Sequence, residues 1–273
     1  MGACCATAPR HDDSETGLDE QGSLRASARE LVFIDNLNGA TNHSIGVTNL
    51  LLLQGDGVSF VQMQYDEDGE EQRPSGGAIT FVADTSLKRH LVVSCHAVGE
   101  VSNGFVFKRG PPHIKIATFG RDSFRIHGAD LVFATPTDHF QPWLDSLPNP
   151  PVRMRLEYAD FDWDRLVNFE DQLKVYMHGA VSLKKEGVIK AIMNVTTRSD
   201  DGDNPRSRDR DNLLIIENKQ IVSAPLSPSF SKSGDSGSPV FLENGLFVGV
   251  IVAGLNESPY SFVVKATDFL QTR

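Results

Sequence analysis

The chain has 273 residues, 40% of them hydrophobic and 23% charged, with a formal net charge of −10. That is enough apolar material for one large domain or two small lobes, and the acidic balance argues against nucleic acid as a partner, since phosphate binding needs a basic surface. No apolar run reaches the roughly 18 residues needed to cross a bilayer, and three cysteines, Cys4, Cys5 and Cys95, cannot supply the disulfide framework on which small secreted domains rely.

Residues 1–30 contain no apolar core of a secretory signal, so the expected setting is the reducing, cytoplasmic interior of a cell. The opening Met1-Gly2-Ala3-Cys4-Cys5 matches the start of dually acylated proteins, with Gly2 for myristoylation and Cys4 and Cys5 for palmitoylation. Position 6 is Ala rather than the favoured Ser or Thr, and an unmodified tail is the alternative reading. One myristoyl chain binds a membrane only marginally, so a membrane surface would become a partner only with a second acyl chain. The rest of residues 1–30 is polar without periodicity and reads as a flexible tether.

Short apolar runs then alternate with turn residues. Val32-Phe33-Ile34 is a lead-in strand, and residues 47–53 and 58–65 are strands parted by Gly55-Asp56-Gly57. The acidic run 66–71 lacks the spacing of a calcium loop and reads as a solvated hairpin tip. No metal site or cofactor is expected. After a strand over 78–83 comes His90-Leu91-Val92-Val93-Ser94-Cys95-His96, an apolar strand that ends on small residues just before His96. His90, at its other end, is expected to be exposed. Asp130 stands directly before a second apolar strand, Leu131-Val132-Phe133-Ala134.

Residues 135–151 hold five prolines and read as a linker, which divides the body into lobes 31–141 and 142–273. Strands resume over 152–158. A loop over 160–170 carries Trp163, and a hairpin spans 173–180 and 187–192. The mixed-charge stretch 198–212 is expected to be irregular, 213–216 and 260–264 to be strands, and 266–273 to close with a short helix. About a dozen short strands with turn signals between them make this an all-β chain of the barrel type.

The chemistry concentrates at Ser231-Lys232-Ser233-Gly234-Asp235-Ser236-Gly237-Ser238-Pro239. A serine between glycines on a tight turn suits a nucleophile, and the N–H groups of Gly234 and Ser236 can form the hole for a tetrahedral oxyanion. The turn feeds the run Val240-Phe241-Leu242, the hairpin signal Asn244-Gly245 and the run Leu246-Phe247-Val248-Gly249-Val250-Ile251-Val252-Ala253-Gly254. An α/β-hydrolase would order its residues Ser, Asp, His with Gly-x-Ser-x-Gly at the elbow. Here position 238 is Ser, and no histidine follows His178.

These segments together resemble the chymotrypsin-like serine proteases, of an intracellular, disulfide-free type. The resemblance implies two six-stranded antiparallel barrels with the active site in the cleft between them. It implies a serine endopeptidase with His96 as general base, Asp130 as the acid that orients it and Ser236 as nucleophile, acting on a protein or peptide substrate. It also implies a pocket walled by Phe230, Ser231 and Lys232 on one side and Val252, Ala253 and Gly254 on the other. With Phe230 at the position of the pocket base, a shallow apolar preference follows rather than one for Arg or Lys. Asp235 resembles the acid that pairs with a freshly cut N-terminus in secreted members. No activation sequence is evident here, so internal hydrogen bonds to Asp235 are expected instead. A catalytically silent module of the same fold, tethered at a membrane, is the alternative.

Overall fold

The computed structural model describes residues 31–35, 43–53, 59–64, 75–94, 103–108, 111–148, 151–154, 159, 173–198, 207–219, 229–254 and 258–272. Gly2, Cys4, Cys5, Cys95, His96, Trp163 with its loop, and the acidic run 66–71 lie outside the described residues.

Strands β1 (Leu31–Asp35) and β2 (His43–Val47) open the body. A sheet follows, built from β3 (Asn49–Leu52), β4 (Ser59–Gln64), β5 (Ser75–Asp84), β6 (Arg89–Ser94), β7 (Asn103–Lys108), β8 (Lys115–Gly120), β9 (Arg125–Ile126), β10 (Leu131–Pro136) and β11 (Val152–Met154). Within it the antiparallel pairings β5–β4, β4–β7, β7–β8, β8–β10, β10–β6 and β6–β5 return to the strand from which they started. The second half is a closed six-stranded barrel of β12 (Lys174–Gly179), β13 (Leu183–Arg198), β14 (Ser207–Asn218), β15 (Pro239–Leu242), β16 (Phe247–Gly254) and β17 (Tyr260–Lys265). Its order is β12-β13-β14-β17-β16-β15. The last strand, β18 (Leu270–Thr272), pairs with β1, the first.

The unbroken apolar character of β10 follows from burial on both faces, because successive side chains of a strand point to opposite sides. Leu131 and Phe133 join one hydrophobic cluster, while Val132 and Ala134 join another with Ile79, Leu91, Val93 and Ile116. The first of these clusters also takes in Phe247, Val250, Phe262 and Phe269 from the second half of the chain. Phe81 of β5 meets Phe247 of β16 edge to face at 5.1 Å. Such a pair contributes about 0.5–1.5 kcal/mol beyond its area burial. A third cluster, including Val175, Met177, Leu214, Val240 and Val263, fills the closed barrel. The halves are thus joined by a shared apolar layer, which fixes the elements that carry the serine turn against β5 and β6.

Several expectations are corrected. The segment read as a linker contains helix α1 (Phe140–Asp145), whose Phe140, Trp143 and Leu144 are buried. Pro142 is tolerated there because N–H groups in the first helical turn have no partner within the helix. Helix α1 spans residue 141, and β11 beyond it pairs back onto β3 of the first sheet. Residues 266–273 do not close as a helix; a single 3-10 turn (Ala266–Asp268) precedes β18. At the ends of the stretch 198–212, Arg198 belongs to β13 and residues 207–212 to β14, while 199–206 lie outside the described residues.

Candidate active site

The serine turn is held by backbone hydrogen bonds on two sides. Toward its own barrel, the Gly237 N–H donates to the Ile251 carbonyl at 2.8 Å and the Ile251 N–H to the Ser238 carbonyl at 3.0 Å. Toward the first sheet, the Ala78 N–H donates to the Ser236 carbonyl at 2.9 Å, and the Thr80 hydroxyl to the Gly237 carbonyl at 2.7 Å. Gly237 has φ +82 and passes so close to β6 that a Cβ there would lie 2.7 Å from the Ser94 Cβ and 3.0 Å from the Ala78 carbonyl oxygen. Glycine is required at this position twice over, for its backbone angle and for its lack of a side chain.

Gly234 also has positive φ, +94. Among the described residues, the N–H groups of Gly234 and Ser236 donate no hydrogen bond, whereas that of Asp235 between them donates to the Lys232 carbonyl at 2.9 Å. Ser236 is 7% exposed.

Asp235 is fully buried. Its Oδ1 accepts from the N–H of Val181 at 2.7 Å and of Ser182 at 3.0 Å, and its Oδ2 from the N–H of Lys232 at 2.7 Å. Val181 and Ser182 belong to the turn between β12 and β13. A buried carboxylate needs such partners, since leaving it unpaired in the interior is costly. Gly179, at the end of β12, leaves the space the carboxylate occupies; a Cβ there would lie 2.6 Å from the Asp235 Oδ1. The expected internal hydrogen bonds to Asp235 are present.

Asp130 is half-buried and has φ 55 at the end of the turn that begins at His127, whose carbonyl its N–H reaches at 3.2 Å. Asp and Asn tolerate this left-handed region better than most residues. The next residue, Leu131, pairs with Ser94, the same Ser94 that Gly237 abuts. His127 itself is exposed, and its Nδ1 lies 2.6 Å from the Asp35 Oδ2.

Among solved structures similar to this chain are chymotrypsin-like proteases. The active form of the Rv3671c protease from M. tuberculosis is 16% identical, over 78% of this chain and 77% of its own, with a TM-score of 0.44. Chymotrypsin from Cellulomonas bogoriensis is 13% identical, over 79% and 92%, at a TM-score of 0.41. The MamO protease domain from Magnetospirillum magneticum is 12% identical, over 78% and 94%, at a TM-score of 0.36. No protein-family model matches the chain, and no curated protein does. At these identities and TM-scores the likenesses say nothing of activity or substrate, which have to be read from the chain's own geometry.

The residues expected to wall a pocket are disposed unevenly. Phe230 is fully buried in the barrel cluster and packs so tightly on β13 that a Cβ at Gly187 would lie 2.8 Å from its ring. Val252 is buried in the layer shared by the two halves, with Ala253 packed against it. Lys232 and Gly254 are exposed, and Ser231 is buried. His90 corrects the sequence reading: it is buried, edge-on to Phe133 at 5.7 Å. Burial first, then the Lys88 charge, pushes its pKa below the ordinary histidine value. It lines an open cleft of about 770 Å³ together with Ile45, Leu87, Arg121 and Phe124.

Sequence reasoning missed Thr80, Val181, Ser182 and Ser261, each of which acts on the serine turn or the segment leading to it. Gly179 was the one local signal, a glycine at a strand end just before a turn.

Proposed function

We propose that this chain is a serine endopeptidase. Ser236 attacks a peptide carbonyl, His96 takes its proton and returns it to the leaving amine, and Asp130 fixes the imidazole tautomer. The Gly234 and Ser236 N–H groups bind the oxyanion. In this reading the ring of pairings through β4, β5, β6, β10, β8 and β7 is the second six-stranded barrel, and the cleft lies where the serine turn meets it.

The observation that carries the proposal is the contact of Gly237 with Ser94. Ser94 is two residues before His96 and pairs with Leu131, one residue after Asp130. Successive Cα atoms are about 3.8 Å apart, so chain connectivity bounds the separations of the three Cα atoms, which supports the reading that their side chains converge. That the N–H groups of Gly234 and Ser236 donate no hydrogen bond among the described residues adds a second support, because open donors on a turn are what an oxyanion site requires.

An alkyl fluorophosphonate tests the reading. The full-length protein is expected to be labelled at Ser236, with labelling lost in Ser236→Ala and reduced by at least about 10³-fold in His96→Ala, as when the base of a triad is removed. A folded wild-type protein that resists the reagent would leave only the silent, binding form of the fold.

A further inference from the structure

We propose that the residue on the acyl side of the scissile bond must be small, Ala or Ser, and that Ser261 sets this limit by holding Ser231 in place. The inference rests on the peptidase reading and adds the substrate class to it.

At the end of β16, Gly254 pairs with Ser261 of β17. The bare face of Gly254 looks across at the segment leading to the serine turn. A Cβ on it would lie 3.0 Å from the Ser231 Oγ, 3.3 Å from the Ser231 carbonyl oxygen and 3.6 Å from the Ser261 Oγ. The bare face of Gly254 therefore lies so close to Ser231 that no nonbonded carbon atom fits between them. An aromatic ring or a long aliphatic stem cannot enter there unless a wall moves.

The wall is fixed from behind. The Ser231 N–H donates to the Ser261 Oγ at 2.9 Å and the Ser231 hydroxyl to the same oxygen at 2.8 Å. The Ser229 hydroxyl donates to the Ser231 carbonyl, and the next residue, Lys232, is tied to Asp235. Both Ser231 and Ser261 are buried, and Phe230 fills the barrel interior beside them, so the wall is backed by packed side chains. What a substrate side chain meets is a shallow floor with a hydroxyl in it. This suits a methyl or hydroxymethyl group and rejects Phe, Leu and Arg. In this proposal the serine pair, with Phe230 packed behind it, forms the floor of the site.

Ser261 acts through Ser231 and is a positioning residue. The test uses the full-length protein and tetrapeptide aminocoumarin amides that differ only in the residue before the coumarin: Ala, Ser, Leu, Phe or Arg. In the wild type, kcat/KM for Ala and Ser is expected to exceed that for Phe and Arg by at least about 100-fold, the scale on which a pocket rejects side chains that overfill it. In Ser261→Ala, where Ser231 loses both bonds, the Phe/Ala ratio is expected to rise at least about tenfold, mainly through a lower KM for the Phe substrate. Loss of general stability would lower both substrates together and leave the ratio alone. Ser231→Ala, which removes the hydroxyl from the wall itself, moves the ratio in the same direction and serves if Ser261→Ala does not fold. A wild-type preference for Phe, Leu or Arg overturns the inference, as does a ratio unmoved in both variants. Fluorophosphonate labelling separates the two levels. Labelling of Ser236 with no preference for small residues removes only the size limit, whereas no labelling and no turnover removes the peptidase reading and the limit with it.

Discussion

Asp235→Ala is expected to lower the rate of Ser236 acylation by at least 100-fold while costing about 3–5 kcal/mol of stability, the size found when a buried charge network is broken. The loss has a countable origin. Three backbone N–H groups, of Val181, Ser182 and Lys232, converge on one buried carboxylate. Each of these part-buried donors loses its acceptor when that carboxylate goes, at about 1 kcal/mol apiece, the low end of the range for an unsatisfied group. The same bonds hold the turn that presents the Gly234 and Ser236 N–H groups, so that turn loses its anchor. Removing a single oxyanion donor costs about 10²–10³ in kcat. Asp235→Asn is the graded form. Its amide oxygen can still serve Val181 and Ser182, but its NH2 would face the Lys232 N–H, donor against donor, so an intermediate loss is expected in both readouts. Urea midpoints and the second-order rate of fluorophosphonate labelling measure the two effects separately. Wild-type labelling by Asp235→Ala would show that the turn does not depend on this anchor. Because the carboxylate is already satisfied within the chain, the wild type is also expected to label with residues 1–30 intact, with no gain on trimming. A requirement for an N-terminal cut would contradict that.

The parts of this arrangement legible in the sequence are those fixed by neighbours along the chain. Asn244-Gly245 marks a hairpin because glycine supplies the positive φ, 85 here, and the Asn244 side chain accepts the Leu246 N–H. The Gly-Asp-Ser-Gly turn and the strand after Asp130 were equally local. The partners of Asp235 were not, since Val181 and Ser182 lie 54 and 53 residues away. Thr80 lies 157 residues from Gly237, and backbone N–H groups carry no sequence signature at all. The stretch 198–212 was misread for a different reason. Among the described residues, β13 after Val188 and β14 before Leu214 pair only with each other. The sequence of their far ends, Thr196-Thr197-Arg198 and Ser207-Arg208-Asp209-Arg210-Asp211, lacks the apolar alternation by which strands are recognised. The direction of the Val252 side chain was not legible either, because it depends on the irregularity in the β16–β17 register between Ile251 and Ala253. One residue of slip turns a strand side chain to the opposite face.

The contact between Gly237 and Ser94 leads to the second large effect. In Gly237→Ala, a methyl group must enter a space where its nearest neighbours would be 2.7–3.1 Å away, two of them backbone atoms that cannot rotate aside. The backbone angle of +82 adds about 1–2 kcal/mol of strain for an L-residue. The cheapest relief is for the serine turn to lift from β6, because among the described residues two hydrogen bonds, to Ala78 and Thr80, tie it to the first sheet, while the apolar layer beneath them, with Phe81 on Phe247, stays packed. Stability should therefore fall by only about 2–3 kcal/mol, within the usual range for one substitution. Catalysis should suffer far more: a displacement of about 1 Å between reacting groups costs about 10²-fold, and here it separates the nucleophile from the element leading to its base. The expected result is a folded protein with kcat/KM reduced at least 100-fold and with hydrogen exchange at Ala78, whose N–H is bonded to the Ser236 carbonyl, accelerated. Thr80→Val separates the causes, since it removes one of the two ties without introducing a clash, and should produce a smaller loss in the same direction. If Gly237→Ala turned over substrate at the wild-type rate, the docking of the serine turn on Ser94 would not be what brings nucleophile and base together.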